Sequence, residues 1–172
     1  KVNAVTTGLP VGTPISEMAE PSYLKIGANG LPTNYKSVIN AQATAYCIPG
    51  GITSTGKRAQ TGYIAVDPKE IPYGTEMYIV SADGRYVYGY CIAADTGSYI
   101  YDVDWTVDLY MNSEAQCRTW GRRDIIIYVL LSPEVFNYEE SCKVCKTCAE
   151  LRALSCNGDD NDVLFRHRHY KT

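Results

Sequence analysis

Residues 75–94 read TEMYIVSADGRYVYGYCIAA, two runs rich in Val, Ile and Tyr on either side of Ser81-Ala82-Asp83-Gly84. β-Branched and aromatic residues suit a pleated, half-buried surface, and Asp-Gly is a strong turn signal. The stretch therefore predicts a hairpin of two strands, Thr75–Val80 and Arg85–Ala94. Along the second strand Val87, Gly89, Cys91 and Ala93 alternate with Tyr86, Tyr88, Tyr90 and Ile92 on two opposite faces. The first of these faces is unusually small. Small inward residues let other strands approach closely, which the interior of a compact barrel demands.

Working outward, further strand-like runs lie at Ala43–Cys47, Tyr63–Val66 and Asp124–Leu131. The last is almost unbroken in Ile, Val and Leu, so it is predicted to be covered on both sides and to serve as a central strand. Before it, Asn112 or Ser113 can cap a short helix. Glu114 sits well in its first turn, Gly121 stops it, and Met111, Ala115 and Trp120 are expected to face the core. Residues 41–131 are thus read as one mainly β domain.

The flanks differ in character. Residues 1–40 carry Pro10, Pro14, Pro21 and Pro32, which break helices and argue for an extended arm or linker, with Asn29-Gly30 as a small hairpin turn. Residues 132–172 read as an appendage: Glu139–Ser155 has helical periodicity, with Val144, Cys148 and Leu151 on one face, and Asn157-Gly158 ends it. The tail Phe165-Arg166-His167-Arg168-His169 is basic and expected to be solvated.

Bulk properties narrow the function. The formal net charge of −3 removes the electrostatic drive for binding nucleic acid or anionic membranes, leaving a neutral or mildly charged polymer as the better partner. No apolar run reaches the roughly 18 residues that span a bilayer. Lys1–Pro10 has no hydrophobic segment of signal-peptide type, so export is expected to have used a segment no longer present. Seven cysteines in 172 residues favour an oxidising, exported setting, and the odd count leaves at least one unpaired within a fully oxidised monomer. Fifteen Tyr against two Phe suggest many half-wet aromatic positions, suited to stacking on sugars as well as to exposed strands.

The candidate chemistry lies in acidic residues placed at turns beside strands. Cleaving a glycosidic bond needs a carboxylic acid that keeps its proton near neutral pH. Asp67 in Val66-Asp67-Pro68, Asp95 in Ala94-Asp95-Thr96-Gly97 and Asp108 in Val107-Asp108-Leu109-Tyr110 each follow apolar residues. Asp108, flanked by Val107, Leu109 and Tyr110, is the one whose surroundings favour desolvation and a raised pKa. Asp102 and Asp104, in a loop beside Tyr101 and Trp105, read as solvated or turn-forming.

Other constellations are poorer. Both histidines, His167 and His169, lie in the tail, away from any nucleophile in the β domain. Gly50-Gly51-Ile52-Thr53-Ser54-Thr55-Gly56-Lys57 lacks the spacing of a phosphate loop. Cys142, Cys145, Cys148 and Cys156 share two C-x-x-C steps, which leaves disulfides, a metal site or free thiols open. Cys47, Cys91 and Cys117 are spread over the β domain, where a staple is plausible and its pairing cannot be assigned.

Thr44-Ala45-Tyr46, Thr53-Ser54-Thr55-Gly56, Gly62-Tyr63-Ile64-Ala65-Val66-Asp67-Pro68, Ile71-Pro72-Tyr73-Gly74-Thr75, Ala94-Asp95-Thr96-Gly97, Val107-Asp108-Leu109-Tyr110 and Gly121-Arg122-Arg123 follow one another in an order and spacing that resemble the 3D domain, named for three aspartates. The resemblance covers residues 44–131. It implies a six-stranded double-psi β-barrel with one short helix, shared with lytic transglycosylases of the membrane-bound type A and with expansin-like proteins. It also implies a bacterial, secreted or wall-associated protein whose partner is the glycan strand of peptidoglycan. The implied reaction cuts the β-1,4 bond between N-acetylmuramic acid and N-acetylglucosamine and leaves a 1,6-anhydro sugar. Carried over by residue, the three aspartates are Asp67, Asp95 and Asp108, with Asp108 as the acid, and Tyr46, Thr53, Thr96 and Gly97 as groove-lining residues. No cofactor and no metal are implied. An expansin-like module that binds wall polysaccharide without cutting it is the alternative. Two features depart from the family pattern: the insert Ser98–Thr106, rich in Tyr, Asp and Trp, and the cysteine-rich extension.

Overall fold

Alternation of inward and outward residues, broken at two bulges in the fourth strand, sets the architecture. In the computed structural model, residues 12–98, 100 and 106–131 are described, all within the first of two units, Lys1–Ser132. The elements are β1 (Tyr35–Tyr46), β2 (Tyr63–Ala65), β3 (Glu76–Ser81), β4 (Val87–Asp95), β5 (Thr106–Tyr110), α1 (Glu114–Trp120) and β6 (Arg123–Leu130). The strands close into a barrel in the order β1-β5-β2-β4-β3-β6. β1/β5 and β2/β4 pair in parallel and the other neighbours antiparallel, so the barrel is mixed. The expected mainly β, six-stranded barrel with one short helix is what the chain forms. The appendage predicted at 132–172, with its cysteine cluster, lies outside the described residues.

Inward residues from every strand make one core: Ala43, Ile64, Met77, Ile79, Cys91, Ala93, Val107, Leu109, Ile125 and Ile127 among them. The hairpin forms about the expected turn, where Ser81 Oγ donates to Asp83 Oδ1 at 2.6 Å and Arg85 N–H donates to the same oxygen at 3.0 Å. The small face of β4, however, contains one large residue. Ile79 pairs with Gly89 and Val80 with Val87, so Tyr88 is an extra residue in the ladder. Such a bulge reverses the alternation on one side of it. Tyr88 is thereby turned inward beside Cys91 and Ala93 and is fully buried, contrary to its place in the simple alternation. Its hydroxyl is satisfied there, accepting from Gly62 N–H and donating to Tyr110 O, both at 3.0 Å.

β6 is apolar on both faces for a stated reason. Ile125 and Ile127 enter the main core, while Tyr128 and Leu130 join Tyr78, Val80 and Tyr90 in a second cluster, against which Met18, Leu24 and Leu31 of the arm pack. In a closed barrel no strand is central, and β6 simply has β1 and β3 as neighbours. The arm joins the barrel by backbone bonds from Ile15 N to Val87 O (3.0 Å) and Ser16 N to Tyr88 O (2.8 Å). Gly89 permits this approach, since a Cβ there would sit 2.9 Å from Pro14 Cβ. The Asn29-Gly30 turn forms as read, with Ile26 bridged to Pro32 and Gly30 at φ 75°. β1 begins at Tyr35, within the stretch read as arm; its first half pairs with β6 alone, and from it Ile39 and Ala41 pack against the core.

α1 follows its predicted signals. Ser113 caps it by accepting from Gln116 N–H, Glu114 lies in the first turn, and Gly121 at φ 63° ends it. Trp120 and Met111 are buried, whereas Ala115 is half-buried. Arg123 locks the helix end: its guanidinium donates to Trp120 O and Thr119 O and lies 4.5 Å from the Trp120 ring and 4.4 Å from that of Tyr86.

Candidate active site

The site forms on the outer face of the barrel, where β1, β5, β2 and β4 run side by side. Thr44 pairs with Asp108, Asp108 with Ala65, and Ala65 with Asp95, so these four residues make one row across four strands. Directly paired residues point to the same face, and that face is opposite to the core residues Ala43, Ile64, Val107 and Leu109. Neighbouring strands are about 4.8 Å apart, which sets the two aspartates about 10 Å apart at their α-carbons with only the Ala65 methyl between.

A second bulge brings Asp95 into the row. Ile64 pairs with Ala93 but Ala65 pairs with Asp95, leaving Ala94 extra. The 53–56 turn docks on that bulge, with Thr55 N and Oγ1 both donating to Ala94 O. Asp108 differs from its expected setting. It is the middle residue of β5 rather than a turn residue, because Thr106–Tyr110 is a strand held between β1, in parallel, and β2, antiparallel.

The two carboxylates have opposite environments. Among the described residues Asp108 has one donor, Thr44 Oγ1 at 3.0 Å. Burial pushes its pKa up to about 6; the Thr44 bond opposes the rise and the charge of Asp95 adds to it. Asp95 has four donors: Ser54 N (2.9 Å), Ser54 Oγ (2.7 Å) and Thr96 N (2.9 Å) on Oδ1, and Tyr46 Oη (2.9 Å) on Oδ2. Burial raises it, yet the Ser54, Thr96 and Tyr46 bonds outweigh that and hold it below the usual carboxylate range. Tyr46 stays a neutral donor, since burial and the adjoining Asp95 raise its pKa far above neutrality. Its ring meets that of Tyr110 edge-on at 5.4 Å.

The remaining expected residues take different places. Asp67 occupies the turn after β2, where Oδ1 accepts from Lys69 N at 2.8 Å and the carbonyl accepts from Glu70 N and Ile71 N. These bonds make it a turn-former, outside the Thr44–Asp95 row. Thr53 is buried and holds its loop, contacting Thr55 Oγ1 at 3.1 Å and accepting from Lys57 N at 3.2 Å. Thr96 contributes its backbone N–H, and Gly97 has open space where a side chain would be. Asp102 and Asp104, in the insert, lie outside the described residues. Two contributors were not singled out from sequence: Ser54, which gives Asp95 two donors, and Thr44, the partner of Asp108. Both stand inside the quoted family motifs, and only the strand register reveals which carboxylate each serves.

Residues 62–131 match the family model described as the 3D domain, which covers β2 to β6 and three of the row's four residues, Ala65, Asp95 and Asp108. In Bacillus subtilis, two proteins are similar to the chain. One, YabE, carries the name of a cell wall shaping protein and is 32% identical over 138 residues, 71% of this chain and 31% of that protein. The other, the cell wall-binding protein YocH, is 32% identical over 100 residues, 54% of this chain and 32% of that protein. The chain thus spans about a third of the length of either relative. Among solved structures, MltA of E. coli with bound chitohexaose is 21% identical, covering 48% of this chain and 28% of that one at a TM-score of 0.41. A likeness of that degree bears on no residue's role.

Proposed function

We propose, from the 3D domain that residues 62–131 form and the unlike carboxylates on its surface, that this chain acts at the bacterial cell wall as a lytic transglycosylase. The carrying observation is Asp108, half-buried, with a single hydrogen-bond donor among the described residues and a pKa of about 6. A carboxylic acid so tuned can protonate the glycosidic oxygen between N-acetylmuramic acid and N-acetylglucosamine as that bond breaks. The resulting carboxylate then accepts the proton of the muramic acid's own C6 hydroxyl while that oxygen bonds to C1, giving the 1,6-anhydro end. An internal nucleophile has a high effective concentration, so neither an enzyme nucleophile nor a held water is required. Asp95, kept ionised by its donors, supports the positive charge that develops at the anomeric carbon and raises Asp108. Tyr46, Thr96 and Gly97 line the approach, while Asp67 and Thr53 shape the loops around it.

The test is product chemistry. The chain is incubated with purified peptidoglycan and the soluble fragments are read by mass spectrometry. 1,6-Anhydromuramic ends are expected, and ordinary reducing ends would make it a hydrolase. Asp108→Asn keeps the shape and loses the proton, so cleavage should disappear while the fold persists; retained activity would overturn Asp108 as the acid. A second reading, a module that binds wall polysaccharide without cutting it, draws support from the name of YocH. Well-folded protein that pulls down with peptidoglycan and releases no fragment would establish that reading instead.

A further inference from the structure

Two half-buried thiols, Cys47 and Cys117, lie beside the carboxylate row and take no part in the chemistry above. The third described cysteine, Cys91, is sealed in the barrel core and has no route to either. α1 is fixed to the end of β1 at two points. Met111 N, just before the helix, donates to Tyr46 O at 2.8 Å, and Trp120 Nε1, at its end, donates to Ala43 O at 3.3 Å. Cys117 lies between these anchors and packs against the barrel core, so it faces the β1 segment that ends at Tyr46-Cys47. From the other side, Tyr110 Oη donates to Ile48 O at 3.3 Å, folding the chain just past Cys47 over the same place. Both thiols act electrostatically on the Tyr110 phenol, and Cys47 acts on Cys117, whose pKa is pushed up to about 11, first by burial.

We propose that Cys47 and Cys117 are a disulfide site that ties the end of β1 to α1 beside the Asp95–Asp108 row. Cys47 is one residue beyond the last β1 pairing and lies between the anchored carbonyls of Tyr46 and Ile48, on the side of the barrel that α1 covers; a disulfide there requires α-carbons roughly 4.4–6.8 Å apart. In the oxidising space outside the cell a small disulfide supplies the oxidising equivalents. One cysteine thiolate attacks it, releasing one small thiol and leaving a mixed disulfide. The second cysteine thiolate then displaces the other small thiol, so two protein thiols and one small disulfide become one protein disulfide and two small thiols. The bond fixes Tyr46, next in sequence to Cys47, and so steadies a donor of Asp95. This inference does not depend on the transglycosylase reading.

The test uses the full chain, held with oxidised glutathione, then alkylated, digested without reduction and mapped by mass spectrometry. A peptide containing Cys47 joined to one containing Cys117 is expected, with Cys91 alkylated only after unfolding. Cys47 and Cys117 both found alkylated, or joined elsewhere, would overturn the site. A variant with Cys142, Cys145, Cys148 and Cys156 all changed to Ser removes exchange with the appendage and must give the same link. The cross-link encloses about 70 residues, so oxidation should raise the melting temperature by roughly 10 °C. Cys47→Ser should fold and melt like the reduced chain, and lose that rise; a rise that survives Cys47→Ser would count against the pair.

Discussion

Asp108→Asn should make the protein more stable at neutral pH, and the gain should vanish in acid. The carboxyl has a pKa of about 6 in the fold against 3.8 in an unperturbed chain, because burial disfavours its charge more than the Thr44 bond favours it. A group raised on folding contributes stability that is fully present below the unfolded value, near 3.8, and is lost as the pH rises through about 6. The difference of about two pH units corresponds to about 3 kcal/mol at pH 7, at 1.36 kcal/mol per unit. An asparagine carries no charge to desolvate, and its carbonyl still accepts from Thr44 Oγ1. Asp108→Asn is therefore expected to raise the urea unfolding free energy by up to about 3 kcal/mol at pH 7, by about half that at pH 5, and by nearly nothing at pH 3. Urea titrations of both proteins at the three pH values read this directly, with equal slopes required so that the comparison concerns stability alone. A gain independent of pH would show that Asp108 is not held above its ordinary pKa, and a loss at pH 7 would show that its charge is favoured in place. Either result would remove the physical ground for its role as an acid.

Three other perturbations have outcomes set by single contacts. Thr44→Val deletes a bond that favours the Asp108 carboxylate, so the Asp108 titration followed by carbonyl NMR should move upward by about one unit; no movement would mean that the bond is not made in solution. Tyr88→Phe strips a hydroxyl that bonds Gly62 N–H and Tyr110 O inside the barrel, and should cost about 1–3 kcal/mol in chemical denaturation through the two groups left unpaired. Gly89→Ala places a Cβ 2.9 Å from Pro14 Cβ at a residue with φ 92°, so it should release the arm, seen as faster hydrogen exchange at Ile15 and Ser16 while the barrel amides of β6 stay protected.

Much of the barrel is legible in the sequence, and what is not shares one cause. The hairpin, the helix and the doubly covered β6 depend on neighbours in sequence: a Ser81–Gly84 turn, a Ser113 cap with a Gly121 stop, an unbroken run from Ile125. The inward turn of Tyr88 depends on a bulge, which is a mismatch between two strands and leaves no mark on either alone. β5 was missed as a strand for a related reason. Thr106, Val107 and Tyr110 suit a strand, but the segment is five residues long with a carboxylate at its centre, and it is held by β1 on one side and β2 on the other. Asp67, by contrast, reads as a turn residue from Val66-Asp67-Pro68 and is one.

The site was legible as a set of residues and not as a division of labour, and the division follows from counting donors. Asp95 and Asp108 are the same side chain, both half-buried, with one alanine between their strands. Asp95 ends its strand after a bulge, where the backbone N–H groups of Thr96 and Ser54 are unclaimed by any ladder and can turn to it. Asp108 sits mid-strand, where the ladders to β1 and β2 take the neighbouring backbone donors, and among the described residues the donor that reaches it is a side chain, Thr44. One carboxylate is thereby solvated by the protein and stays charged, while the other is desolvated and retains a proton toward neutral pH. A strand end and a strand middle, set side by side by barrel closure, are enough to split two identical groups into a charge and an acid.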